Sequence, residues 1–138
     1  MTRLPHRCAA GLVFALETEA DPFAARVTGA STLRGPLLSF HEGTIGGRRV
    51  AWVVSGAGSA AAGRAATMLL EGHAPAILVS AGFAGGLDPG LARGALVLAT
   101  ASVREGAERL PLARPAGLLP AGSAGVDIVT VDSIVATA

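Results

Sequence analysis

The stretch Ile77–Leu87 reads ILVSAGFAGGL. Ile77, Leu78 and Val79 form an apolar run of the kind that fills a fully buried strand. Gly82, Gly85 and Gly86 follow at once, with Phe83 and Ala84 among them. A buried strand that runs into a glycine-rich turn puts bare backbone at the carboxyl end of a sheet. Ligands of open α/β sheets bind there, and glycine lets them approach the main chain closely. A plain tight turn explains the same residues, so the decision rests on neighbouring stretches.

Upstream, Arg48–Ser55 reads RRVAWVVS, a strand apolar on both faces, with Trp52 as core. SGAGS follows at Ser55–Ser59, then a helix from about Ala60 to Glu71 that stops at Gly72. Strand, glycine turn, helix, strand, glycine turn is a βαβ arrangement with parallel strands and Ile77–Ala81 at the sheet centre. Gly56 to Ala61 matches G-x-G-x-x-A, the dinucleotide fingerprint. The acidic residue that should close the next strand is absent, since that strand ends Ser80-Ala81-Gly82. What survives is a helix N-terminus whose N–H groups suit an anion or a sugar hydroxyl.

Toward the amino end, Ala9–Leu16 reads AAGLVFAL, an apolar strand. Asp21 is the expected N-cap of the next helix and Pro22 its first residue. That leaves Glu17 and Glu19 in the strand-to-helix turn, at the same sheet edge as the glycine turn. Gly29–Gly35 reads as a loop. Leu37–Glu42 and Arg48–Ser55 read as hairpin strands joined by a loop at Gly43–Gly47. Ala95–Ala101 is a further strand, Ser102–Ala124 a long loop and Val126–Val135 a last apolar run. His41 and His73 have no partners at ligand spacing, and His6 lies near a frayed terminus.

The chain has 138 residues, 51% hydrophobic and 15% charged, which excludes a disordered class and suits one α/β domain. Net charge is +1, and no basic cluster is denser than Arg48-Arg49, so nothing marks a nucleic-acid surface. No apolar run is long enough to span a bilayer. Arg3 and Arg7 precede an apolar run as in a signal peptide, yet Glu17 and Glu19 stand where a small-residue cleavage site would be needed. A single cysteine, Cys8, excludes an internal disulfide and a thiolate metal site. A cytoplasmic protein with no metal and no cofactor is expected.

Taken together, FALETEA (Phe14–Ala20), VVSGAGSAAAGRAATMLL (Val53–Leu70), ILVSAGFAGGLDPGLARGALVLATAS (Ile77–Ser102) and VTVDSIVAT (Val129–Thr137) resemble a known superfamily. It comprises the purine nucleoside phosphorylases and the methylthioadenosine/S-adenosylhomocysteine nucleosidases. FALETEA and AGFAGGL are also similar to a hopanoid-associated subgroup. The resemblance implies a three-layer α/β fold with a mixed sheet and flanking helices. It also implies cleavage of the N-glycosidic bond of a purine nucleoside, by water or by phosphate as co-substrate.

By the same resemblance Glu19 is the catalytic residue that positions the attacking water. The candidate substrate-binding residues are Ser55 and Gly56 in the first glycine turn and Gly82, Phe83, Ala84 and Gly85 in the second. Phe83 stands where the nucleosidases often carry a small polar residue. Ser80 stands where some phosphorylases carry a phosphate-binding arginine, which leans the reading to hydrolysis. The resemblance implies, too, that the family continues past the point matching Ala138, into a methionine-glutamate motif for the ribose hydroxyls and an aspartate that protonates the leaving base. Asp127 and Asp132 precede that place. On this reading the chain is a shortened member with impaired activity, or a nucleoside binder or degenerate remnant. It is expected to leave apolar strand surface in water and to self-associate, as a homo-oligomer or otherwise.

Overall fold

The computed structural model describes residues 7–113 and 124–131. They group into two compact units, residues 1–84 and 85–138. In the first, the elements are β1 (Ala10–Phe14), α1 (Glu17–Ala24), β2 (Thr28–Arg34), β3 (Ser39–Ile45), β4 (Arg48–Val54), α2 (Ser59–His73) and β5 (Ile77–Ser80). The strands form one sheet in the order β2-β3-β4-β1-β5. β1 runs parallel to both β4 and β5, whereas β2, β3 and β4 pair antiparallel. The sheet is therefore mixed, as expected, with one helix packed on each face.

The two faces have separate cores. Val13, Phe40, Ala51 and Val53 pack with Ala65 and Leu69 of α2. Gly11 makes that approach possible. A Cβ there would lie 2.9 Å from Leu69 Cδ2 and 3.0 Å from the Pro75 ring, distances the backbone of β1 and helix α2 cannot both keep. On the other face Phe14 and Trp52 pack with Ala20 of α1. Phe23 of α1 meets Trp52 edge-on at 5.5 Å, and His41 stacks on Trp52 at 5.1 Å. Trp52 is thus core, and β4 is buried on both faces from Val50 to Val53. His73 is buried at the end of α2, with Nε2 3.5 Å from Glu42 Oε2. Both histidines are structural.

Five sequence expectations need correction here. Ile77–Ser80 is not central: β1 is, and β5 lies at the sheet edge. Val53 is fully buried, but Leu78 is 38% exposed. The apolar run makes β5 fit for burial, but its place follows from the crossover. The connection from β4 through α2 passes over β1, so β5 lands beyond it. Helix α1 starts at Glu17 rather than at Asp21, with Pro22 inside it. Gly29–Gly35 is largely strand, not loop: β2 is exposed along its whole length and held by its ladder with β3. The hairpin loop is only Gly46-Gly47, at φ 55° and 75°. Two successive positive φ values make a type I′ turn, whose twist matches the strands. Finally, Gly72 is inside α2; the helix ends on Ala74 at φ 39°, whose N–H donates to Leu70 O at 3.0 Å.

In the second unit, β6 (Val97–Arg104), β7 (Leu110–Pro111) and β8 (Ala124–Thr130) form a sheet in the order β7-β6-β8, with β6 and β8 parallel. β6 starts later and runs further than Ala95–Ala101, and β7 falls in the stretch expected to be loop. Residue 100 is extra in the β6–β8 register, which bulges between Ala99 and Ala101. The expectations for His6, Asp132 and the stretch beyond Val131 lie outside the described residues. No helix among the described residues is long and apolar enough to cross a membrane.

Candidate functional site

Parallel pairing decides which loops meet. The registers Phe14↔Val54 and Val13↔Ser80 bring the carboxyl ends of β1, β4 and β5 to one sheet edge. The ladder continues one step past the strands. Ser55 N–H donates to Phe14 O at 2.8 Å, and Ala81 N–H donates to Val13 O at 3.0 Å. Three connections therefore open side by side: the entry to α1, the SGAGS turn and the start of the AGFAGG turn.

Glu19 spans two of them. It is the third residue of α1, and its Oε2 accepts the N–H groups of Ala15 and Leu16, both at 3.0 Å. A glutamate at this position reaching back to the N-cap is half of a capping box. It satisfies the N–H groups of Leu16 and of Ala15 before it, where the chain enters the helix. This is why α1 starts four residues before the Asp21-Pro22 signal. Two acidic residues in the first turn also match the positive end of the helix dipole. The other oxygen, Oε1, accepts the N–H of Phe83, 64 residues along the chain, at 3.0 Å. The Phe83 amide is the chief cause that holds the carboxyl below the ordinary glutamate range. Partial burial pushes the other way, and the Leu16 and Ala15 amides add to the lowering.

The second glycine turn meets Glu19 at van der Waals range. A Cβ built on Gly82 would lie 2.6 Å from Glu19 Oε1 and 2.8 Å from its Cδ. Phe83 turns its N–H to the carboxylate, and the residue as a whole is 78% exposed. Ala84 is also exposed, and Gly85 falls in the second unit. In the first turn, Ser55 Oγ lies 2.8 Å from Gly56 O and 3.2 Å from Phe14 O, so its proton is given to backbone and its lone pairs remain for a ligand. Gly56 and Gly58 adopt φ 81° and 104°, and no side chain caps α2. Its first N–H groups stay available at this edge. The structure thus brings Glu19 against Gly82 and Phe83, with Ser55 and Gly56 at the end of the adjacent strand β4. The backbone amides of Ala15 and Leu16 were missed in the sequence, since a main-chain donor has no residue signature; the glutamate in a helix first turn was the available hint.

The acidic residue considered in the second unit behaves differently. Asp127 receives Arg109 Nε on Oδ2 and Arg109 Nη2 on Oδ1, both at 2.8 Å. Thr100 Oγ1, carried on the bulge, lies 3.2 Å from Oδ1. The guanidinium holds Asp127 below the usual carboxylate range, which unfits it as a proton donor. Among the described residues no group of His, Cys, Asp and Glu could hold a metal ion.

Residues 9–129 match the family model described as the Phosphorylase superfamily. The 5′-methylthioadenosine/S-adenosylhomocysteine nucleosidase of Actinobacillus succinogenes is 31% identical over 111 residues, 80% of this chain and 48% of that protein. That of Shewanella sp. strain MR-7 is 34% identical over 90 residues, 65% of this chain and 38% of that protein. The chain spans about half or less of the length of these relatives. Among solved structures, the nucleosidase of Colwellia psychrerythraea in complex with adenine superposes with a TM-score of 0.76 at 25% identity, over 95% of this chain and 65% of that one. That of Neisseria meningitidis with methylthio-immucillin-A gives 0.67 at 24%, over 72% and 43%. With a mixed sheet, a helix on each face and a family match running through both glycine turns, this chain belongs to the phosphorylase superfamily.

Proposed function

We propose that the chain serves hydrolysis of the N-glycosidic bond of a purine nucleoside of the methylthioadenosine/S-adenosylhomocysteine type. The observation that carries this reading is Glu19, an ionised carboxylate fixed by three amides at the sheet edge where such folds bind ligands. In this reading a water molecule sits on Glu19 and attacks C1′ as the bond to the base breaks and its electron pair leaves with the base; the attacking water gives one proton to solvent, and solvent returns one to the base anion. Positive charge grows on the sugar in an oxocarbenium-like transition state, and the carboxylate offsets it. A carboxylate whose lone pairs already accept three amides and which is shifted toward its ionised form serves to orient the water and supply charge. The same negative charge opposes an incoming phosphate dianion, which supports water over phosphate as the acceptor. Ser80 in place of an arginine points the same way.

The reaction takes no cofactor, because water and protein groups supply all its atoms. We read both units as parts of one phosphorylase-type domain, in the cytoplasm and self-associating through apolar surface such as Leu78. A second reading, nucleoside binding without turnover, is favoured by Asp127: its ion pair with Arg109 holds it toward the ionised form, against a role as proton donor to a leaving base. Asp132 lies outside the described residues.

Incubation of residues 1–138 with methylthioadenosine, with and without phosphate, tests both. The expected result is binding, with phosphate-independent release of adenine at a rate about 10²–10⁴-fold below that of an enzyme with a placed general acid. Binding without release supports the second reading. Release that requires phosphate, or no binding at all, overturns the proposal.

A further inference from the structure

Glycine at position 82 has a second reading beside substrate contact. Its Cα faces the Glu19 carboxylate so closely that a Cβ would lie within 3.0 Å of Oε1, Cδ and Oε2 alike. Elsewhere in the glycine turns the space is open: nothing stands within 4 Å of a Cβ at Gly56, Gly58, Gly85 or Gly86. Gly82 is therefore the turn glycine whose missing side chain is filled by another residue. What fills it is the carboxylate on which the proposed chemistry depends.

We propose that Gly82 is a positioning residue: the absence of its side chain creates the seat in which Glu19 is held by the amides of Ala15, Leu16 and Phe83. At Phe83, on the same argument, the working group toward Glu19 is the N–H and not the ring. The seat has three walls from two elements. Ala15 and Leu16 enter α1 and grip Oε2, while Phe83 follows β5 and grips Oε1. Oxygens held from opposite sides leave the carboxylate one orientation, with its remaining lone pairs directed away from the amides. An alanine at 82 displaces the flexible end of Glu19, not backbone, so the chain keeps its fold and loses the Phe83 hydrogen bond. The downward shift of the Glu19 carboxyl, caused first by that amide, agrees with this geometry.

Gly82 also has φ 159°, at the margin of the region that glycine favours. Backbone strain is thus a rival explanation, and the experiment separates the two. Glu19 is titrated by carboxyl ¹³C NMR in the full chain, in Gly82→Ala and in Phe83→Ala. Unfolding temperatures are measured for Gly82→Ala, Glu19→Ala and the double variant. The proposal expects the Glu19 midpoint to rise toward the ordinary glutamate value in Gly82→Ala and to stay low in Phe83→Ala. It also expects the loss in unfolding temperature from Gly82→Ala to largely vanish when Glu19 is already alanine.

An unchanged Glu19 midpoint in Gly82→Ala, or an equal loss in both backgrounds, overturns the seat and leaves backbone strain as the cause. Should Gly82→Ala fail to fold, folding of the double variant supports the seat and its failure overturns it. The inference takes its functional meaning from the proposed hydrolysis, but none of these readouts uses a nucleoside. A chain that keeps the seat and binds no nucleoside refutes the function alone.

Discussion

Glu19 in the first unit and Asp127 in the second are both carboxylates with three donors, and both are held below the ordinary range. The donors differ. Glu19 takes three backbone amides, which carry dipoles but no net charge. Asp127 takes two N–H groups of one guanidinium and faces a threonine hydroxyl. Glu19 therefore keeps its full negative charge for something else, whereas Asp127 has its charge cancelled in place. Equal hydrogen-bond counts make a charged site in one case and a sheet staple in the other.

Removing each charge is the strongest way to break this contrast. Glu19→Gln should lower the rate of base release by about 10²-fold or more, the range found when a preorganised electrostatic group is removed. Asp127→Asn should change it by no more than a few-fold. Equal losses in the two variants, measured as adenine released per hour, would dissolve the distinction.

Stability should follow the same order on a smaller scale. A glutamine at 19 must turn its NH₂ toward amide donors, leaving one without an acceptor, at a cost of about 1 kcal/mol for a partly buried group. Denaturant midpoints for the two variants check this, with a smaller change expected for Asp127→Asn, whose partners are exposed. The pH dependence is signed. Because the folded form of Glu19 titrates below the unfolded one, its contribution is fully present above the ordinary glutamate value of about 4.3 and fades as pH falls through the lower folded value. The gap between the original chain and Glu19→Gln should therefore close in acid. A gap that widens there would reverse the assignment.

The smallest effect sharpens the contrast most finely. Raising salt from about 0.1 M to 1 M shortens the screening length from about 10 Å to 3 Å. The Asp127 titration midpoint should then move toward the ordinary value, because its partner is a cation at the surface. That of Glu19, set by touching amides, should move less. A larger salt shift at Glu19 would mean that unrecognised charges govern it.

The contrast also marks what the sequence could reveal. β4 and α2 were legible because burial writes itself into residue type: Val50 to Val53 has no solvent face, and α2 buries Ala65 and Leu69 on one side. The parallel registers that join Glu19 to the glycine turn followed from the βαβ order. β2 was not legible, because Thr28–Arg34 is an exposed edge strand whose hydrogen bonds are made by backbone and leave no apolar alternation. The central position was misassigned to β5 because an apolar run reports fitness for burial and not sheet order. The start of α1 was hidden by Pro22, a strong local signal overridden by the Glu19 cap. At the site, Glu19 and the turn were visible as residue types. That Phe83 contributes its amide and Gly82 its lack of a side chain was not, since both facts belong to the main chain.

The most direct measurement is the fate of water oxygen. Adenine release from methylthioadenosine by residues 1–138 in ¹⁸O-water containing phosphate should give free methylthioribose labelled at C1, with Glu19→Gln losing the labelled product. Sugar 1-phosphate as the product, or labelled sugar formed as fast without the Glu19 carboxylate, would contradict the account.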